Sequence, residues 1–208
     1  YLRDEVTSST IYDEAARDNE AAFAQYQIQL GAVDTNFGLR YDDNEQFGDF
    51  TTASFLAGMN LTDDLRLIGS VSEGFKAPTF NDLYYPGYGD PSFKPEESTN
   101  YEIGLNASLG DTLVTVAVFK NQLQNLIQYN SSTFQTDQTA EAEITGIEFN
   151  VDTEVAGWAL SLSGSVIDPE NKSNGKLLRR RAEQSMSFDA DYGFDKVTVG
   201  FTLRSESN

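Results

Sequence analysis

Apolar and polar residues alternate one by one along most of this chain. In Ala24-Gln25-Tyr26-Gln27-Ile28-Gln29-Leu30 every second residue is apolar and each residue between is Gln. Tyr101, Ile103, Leu105, Ala107 and Leu109 alternate with Glu102, Gly104, Asn106 and Ser108. Trp158, Leu160, Leu162, Gly164 and Val166 alternate with Ala159, Ser161, Ser163 and Ser165. Met186, Phe188, Ala190 and Tyr192 do the same against Ser185, Ser187, Asp189 and Asp191, and Val197, Val199, Phe201 and Leu203 close the series. A period of two is the strand period, so each segment has one greasy face and one wet face. The pattern predicts about ten strands of roughly the length that crosses a bilayer at a tilt. They fall at 20–30, 35–42, 50–60, 65–75, 98–109, 112–129, 140–154, 157–168, 181–193 and 196–205. Over 112–129 the face is ambiguous, because Val114, Val116 and Val118 compete with Leu113, Ala117 and Phe119. Apolar parity shifts between Ile144 and Ile147, which predicts a bulge at Gly146.

The connections sharpen the picture. Short turns are expected at Gly31-Ala32-Val33-Asp34, Leu61-Thr62-Asp63-Asp64, Gly110-Asp111, Val155-Ala156-Gly157 and Gly193-Phe194-Asp195. Longer polar stretches fall between them, at Asp42–Asp49, Lys76–Glu97, Asn130–Thr139 and Asp168–Arg180. Alternating short and long connections are the mark of an outer-membrane barrel, with tight turns at the periplasmic rim and loops outside. The expected fold is therefore all-β, an antiparallel transmembrane β-barrel present in part. Apolar faces meet lipid, polar faces line the lumen, and Tyr26, Phe75, Tyr101, Tyr129 and Tyr192 are candidates for interfacial girdles.

Composition excludes several classes. Hydrophobic residues make up 39% of 208, but no apolar run approaches the ~18 residues of a membrane helix. The chain has no Cys, so disulfide scaffolds and thiolate metal sites are ruled out, and no His, which removes Ser-His and Cys-His catalysis. A net charge of −19 disfavours nucleic acid. No cofactor is expected. The opening Tyr1-Leu2-Arg3-Asp4-Glu5-Val6 reads as the tail of a strand already under way, and the expectation is an internal fragment, one partial barrel domain over 1–208.

One stretch carries a family resemblance. Gly74-Phe75-Lys76-Ala77-Pro78 leads through Asn81-Asp82-Leu83-Tyr84 and Tyr88-Gly89-Asp90-Pro91 to Pro95-Glu96-Glu97-Ser98, then Tyr101-Glu102-Ile103-Gly104. This resembles the strand–loop–strand segment of TonB-dependent outer-membrane receptors, in which a G-[FY]-[KR]-A-P box precedes a P-E-x-S…E-x-G box. Arg40-Tyr41-Asp42-Asp43-Asn44-Glu45-Gln46-Phe47-Gly48, Asn121–Tyr129, Ile144-Thr145-Gly146-Ile147-Glu148 and Leu177-Leu178-Arg179-Arg180 look like segments of the family's vitamin B12 (cobalamin) branch. The resemblance spans about residues 20–205 and implies the second half of a 22-stranded barrel in the bacterial outer membrane. It implies uptake of a scarce nutrient, cobalamin or alternatively a ferric siderophore, with TonB engaged through a plug and TonB box that this sequence does not contain. The branch holds calcium on loops of the earlier half, so no calcium ligand carries over. Haem receptors place a His in the corresponding loop, and this sequence has none.

Candidate site residues follow. Tyr84, Tyr85, Tyr88 and Phe93, with Pro86, are expected in an outer loop where aromatics pack on a bulky ligand; the competing reading is structural, with Pro78, Pro91 and Pro95 stiffening the loop. Asp42, Asp43, Glu45 and Asp49 cluster without calcium-loop spacing and read as a solvated acidic loop. Arg179, Arg180 and Arg181 either grip lipopolysaccharide phosphates or balance carboxylates. Glu102, Glu148, Asn150, Asp152, Asp189 and Asp191 are expected to wet the lumen rather than to catalyse. A soluble all-β binding module is the rival architecture, and an enzyme is disfavoured.

Overall fold

The computed structural model describes residues 1–12, 15–130 and 132–207. They form one antiparallel sheet. Its strands are β1 (Leu2–Glu5), β2 (Ala16–Leu30), β3 (Val33–Asn44), β4 (Gly48–Thr62), β5 (Leu65–Lys76), β6 (Glu96–Leu109), β7 (Thr112–Asn130), β8 (Gln135–Val155), β9 (Trp158–Asn171), β10 (Lys176–Leu177), β11 (Gln184–Phe194) and β12 (Val197–Glu206). A short helix, α1 (Phe80–Tyr84), interrupts the β5–β6 connection. Each strand lies beside its predecessor in a meander, with β11 following β9 and β10 pairing only with β9. The sheet is open, and β1 and β12 are its edges.

Register carries each face continuously from strand to strand. Tyr26 lies opposite Phe37, Phe37 opposite Phe55, and Phe55 opposite Val71. Farther along, Ile103 faces Val118, Val118 faces Ile147, and Ile147 faces Val166. This settles the ambiguous strand: Val114, Val116 and Val118 join the greasy face, and Leu113, Ala117 and Phe119 turn to the polar one. The polar face runs through Glu148, Asn150 and Asp152, opposite Ser165, Ser163 and Ser161, and on to Ser185, Ser187 and Asp189.

No second layer covers the greasy face among the described residues. Ile103 is 64% exposed, Val118 56% and Leu203 63%. So many large apolar side chains in one continuous band would be untenable in water and are suited to hydrocarbon. A soluble sandwich, whose apolar faces converge on a dry interior, is therefore overturned. From Tyr101 to Leu109 the band runs roughly 27 Å along β6, or about 20 Å of height at the tilt common in barrels.

All five expected tight turns are present at one rim. They connect β2–β3, β4–β5, β6–β7, β8–β9 and β11–β12. Their left-handed positions are filled by Gly31, Gly110, Ala156, Gly157 and Asp195; consecutive positive φ at Ala156 and Gly157 is the twist that two-residue hairpins require.

Two of the four long polar stretches are corrected. Asp42–Asp49 and Asn130–Thr139 are not loops: β3 runs to Asn44 and β4 starts at Gly48, while β7 runs to Asn130 and β8 starts at Gln135. Their polarity marks strand ends that continue past the lipid band, where no greasy face is needed. Gly146 is likewise not a bulge, since pairing on both sides of β8 runs through it without a shift. It is small because Phe119 lies across it: a Cβ there would sit 2.8 Å from the Phe119 ring and 2.8 Å from Ile167. The irregularity in this pair comes higher, at Asn125, which has φ 55 and drops out of the ladder.

Candidate functional site at the outer rim

The 77–95 connection is a folded unit built on α1. Thr79 caps the helix by accepting from the Asp82 amide at 3.2 Å, and the Asp82 carboxylate accepts from the Thr79 amide at 3.0 Å. This reciprocal capping box offsets the poor intrinsic stability of so short a helix. Leu83 is fully buried at 0% exposure, and Pro78, Phe80 and Phe93 are buried with it. Beyond the helix, Gly89 donates to the Tyr85 carbonyl and Asp90 to the Asp82 carbonyl, both at 2.8 Å. Asp90 then accepts from the Ser92 hydroxyl at 2.6 Å and the Ser92 amide at 2.9 Å, and these bonds hold its carboxyl below the usual carboxylate range. The unit is clamped to the wall by Gln138, whose side-chain amide accepts from the Lys94 amide and donates to the Lys94 carbonyl. Asn125 donates to the Pro95 carbonyl at 3.3 Å.

A row of rings crosses this rim. Tyr12 meets Tyr85 edge-on at 6.3 Å, Tyr85 meets Tyr88 edge-on at 6.0 Å, and Tyr88 stacks on Tyr129 at 6.0 Å. The Arg180 guanidinium lies 4.8 Å from the centre of the Tyr129 ring. The row joins four separate pieces of chain: the β1–β2 connection, the 77–95 loop, the top of β7 and the β9–β11 loop. Edge-to-face and stacked geometry within these distances is attractive beyond simple area burial, and a guanidinium on a ring face adds to it.

The candidate residues separate by position. Tyr85 and Tyr88 lie in the row. Tyr84 does not; its hydroxyl accepts from Gln46 at 2.5 Å. Phe93 is beneath the loop, buried. Of the arginines, Arg180 caps the row, Arg179 pairs with Asp137 at 3.6 Å, and Arg181 is exposed. Tyr129, a girdle candidate from sequence, stands at the rim instead. Tyr12 escaped sequence reading because it sits in a polar stretch with no periodicity. The acidic cluster is also divided: Asp42 is buried and accepts from Arg40 at 2.7 Å and Asn19 at 2.9 Å. No group of metal-ligating side chains gathers among the described residues.

An antiparallel meander with a continuous exposed apolar band, hairpins at one rim and an aromatic loop at the other has the make-up of an outer-membrane β-barrel wall. The chain belongs to a receptor family of that architecture: residues 2–207 match the family model described as TonB dependent receptor-like, beta-barrel. It is 30% identical over 193 residues to "Vitamin B12 transporter BtuB" of Vibrio vulnificus, covering 91% of this chain and 32% of that protein. It is 32% identical over 200 residues to the protein of the same name from Photobacterium profundum, covering 92% of this chain and 33% of that one. The chain thus spans about a third of the length of these relatives. Among solved structures, the siderophore receptor PirA of Acinetobacter baumannii matches with a TM-score of 0.76 at 19% identity, over 91% of this chain and 33% of that one. The copper transporter OprC matches with a TM-score of 0.75 at 17% identity, over 91% and 34%. These structural likenesses establish the fold. The chain is therefore a β-barrel wall of the TonB-dependent receptor family.

Proposed function

We propose that the chain is part of the wall and outer loops of a larger, 22-stranded receptor that takes up cobalamin with energy from TonB. The supporting observation is the aromatic row at the loop rim, a surface suited to a large, rigid, partly apolar ligand. Relatedness to proteins named as vitamin B12 transporters, over nine-tenths of the chain, favours cobalamin over a ferric siderophore. In this reading Tyr85 and Tyr88 contact ligand, Tyr84 and Phe93 support the loop from below, and Arg179 and Arg181 face lipopolysaccharide phosphates. TonB would act through a plug that the rest of the protein supplies. The polar face, rich in Ser and carboxylates, wets the path through the lumen.

The test is equilibrium binding of cyanocobalamin and of ferric enterobactin to the full-length receptor in detergent. Cyanocobalamin should bind. Tyr85→Ala and Tyr88→Ala should each weaken binding by about 2- to 12-fold, the worth of one aromatic contact. Tight binding of the ferric chelate without cyanocobalamin overturns the substrate. Binding of neither overturns the nutrient-receptor reading.

A further inference from the structure

Arg17 is almost wholly buried, 6% exposed, and takes no part in the row. Its guanidinium gathers partners from three outer elements. It donates to the Pro78 carbonyl at 2.7 Å in the 77–95 loop, to Asp4 of β1 at 3.2 Å and to Gln46 in the β3–β4 turn at 3.4 Å. Its Cζ lies 5.0 Å from the Phe80 ring centre and 5.8 Å from that of Phe47. Arg17 is on β2, whereas the loop leaves β5, and β3 and β4 stand between them. No sheet hydrogen bond can draw the loop across that distance. Asp4 is the only carboxylate among these partners; the others are a carbonyl, an amide and two rings. Burying a guanidinium among mostly neutral groups is costly for stability alone, and its bonds to three separate elements hold one arrangement of those elements. The fork also suits Arg to this position, since its five donors in a fixed plane reach three elements at set directions while the delocalised charge stays beside two rings, which the compact Lys ammonium matches less well.

We propose that Arg17 is a positioning residue that draws the 77–95 loop back over the β3–β4 turn and so sets α1, Tyr85 and Tyr88 in line with Tyr12. The tethers beside it act in the same direction: Tyr12 donates to Asn81 at 2.5 Å, and Gln46 reaches Tyr84. The ligand consequence rests on the nutrient-site reading above; the loop consequence does not.

The experiment is amide hydrogen exchange on the full-length, folded receptor without ligand, followed by cyanocobalamin titration. Arg17→Met should speed exchange at Leu83, Tyr85, Gly89 and Asp90 by at least about tenfold, as expected for losing hydrogen bonds to a buried charge. The amides of Leu105 and Val116 in the wall should not change. Cyanocobalamin affinity should fall by a similar factor, and Arg17→Lys should recover only part of both losses. Unchanged loop exchange, loosening of loop and wall together, a loosened loop with unaltered affinity, or full recovery by Lys each overturns the proposal. If the unmutated receptor does not bind cyanocobalamin, the nutrient reading fails, and the exchange data alone still decide whether Arg17 holds the loop.

Discussion

Replacing Gly89 with Ala places a methyl carbon 2.6 Å from the Leu83 carbonyl carbon, 2.6 Å from the Tyr84 amide nitrogen and 2.7 Å from the Leu83 oxygen. All three are backbone atoms of α1, so no side-chain rotation relieves the clash. Ordinary contact begins near 3.4 Å, and the 85–90 segment must lift by several tenths of an ångström. That movement strains the hydrogen bonds from Gly89 to Tyr85 and from Asp90 to Asp82. Overpacking of this kind costs about 1–3 kcal/mol. Because the wall does not depend on the loop, the cost should appear as local opening, with exchange at Leu83, Tyr85 and Asp90 faster by roughly 5- to 150-fold. Tyr85 and Tyr88 move with the segment, so the row is broken in its middle, and under the proposed function cyanocobalamin affinity should fall in parallel. The assay is amide exchange on the folded receptor, with urea unfolding as a check on the barrel. Wild-type exchange at the loop amides would refute the reasoning, because it would mean that the close approach of Gly89 to α1 is not required.

Other outcomes follow from the same geometry. Gly146→Ala should destabilise the barrel by about 1–3 kcal/mol in urea unfolding, and Phe119→Leu in the same chain should return part of it, with coupling of roughly 0.5–3 kcal/mol. Val116→Arg, on the greasy face, should cost about 2–4 kcal/mol in refolding into vesicles, while Thr115→Arg, one residue away on the polar face, should be nearly neutral. The Asp90 carboxyl, held below its usual value by Ser92, stabilises the loop only while ionised. Loop opening, read as exchange relative to the intrinsic rate at each pH, should therefore be steady above the ordinary Asp range, about pH 3.9, and rise as pH falls through the depressed value. Ser92→Ala should move that rise to higher pH.

The wall was legible because lipid on one side and water on the other impose a period of two that survives in most of the long strands. Turn chemistry was equally clear: Gly31, Gly110 and Gly157 stand where the hairpins need positive φ. Errors arose where one signal has two causes. The polar runs at Asp42–Asp49 and Asn130–Thr139 looked like loops, yet strand tops beyond the lipid are polar too, and only the pairing of Asp43 with Asp49 and of Tyr129 with Thr136 tells them apart. Gly146 resembled a bulge because its need for space comes from Phe119 on the next strand, which periodicity along one strand does not show. At the rim, Tyr85 and Tyr88 were visible as aromatics in a Pro-stiffened loop, and the T-x-x-D spacing of Thr79 and Asp82 was an unused helix signal. Tyr12 and Arg17 were not legible. The partners that tie them to the 77–95 loop, Asn81 and Pro78, lie more than sixty residues away, and nothing local marks them.

The two-faced wall is tested most directly by single cysteines placed in turn from 101 to 109 along β6; residues 1–208 have none of their own, and any cysteine elsewhere in the receptor is replaced first. Each variant of the full-length receptor is refolded into vesicles and probed with a lipid-dissolved quencher and a water-soluble thiol reagent. Labels at 101, 103, 105, 107 and 109 should be quenched from the bilayer, and those at 102, 104, 106 and 108 should react from water. Protection of the odd positions from both probes would place those side chains in a dry interior between packed sheets and contradict the account.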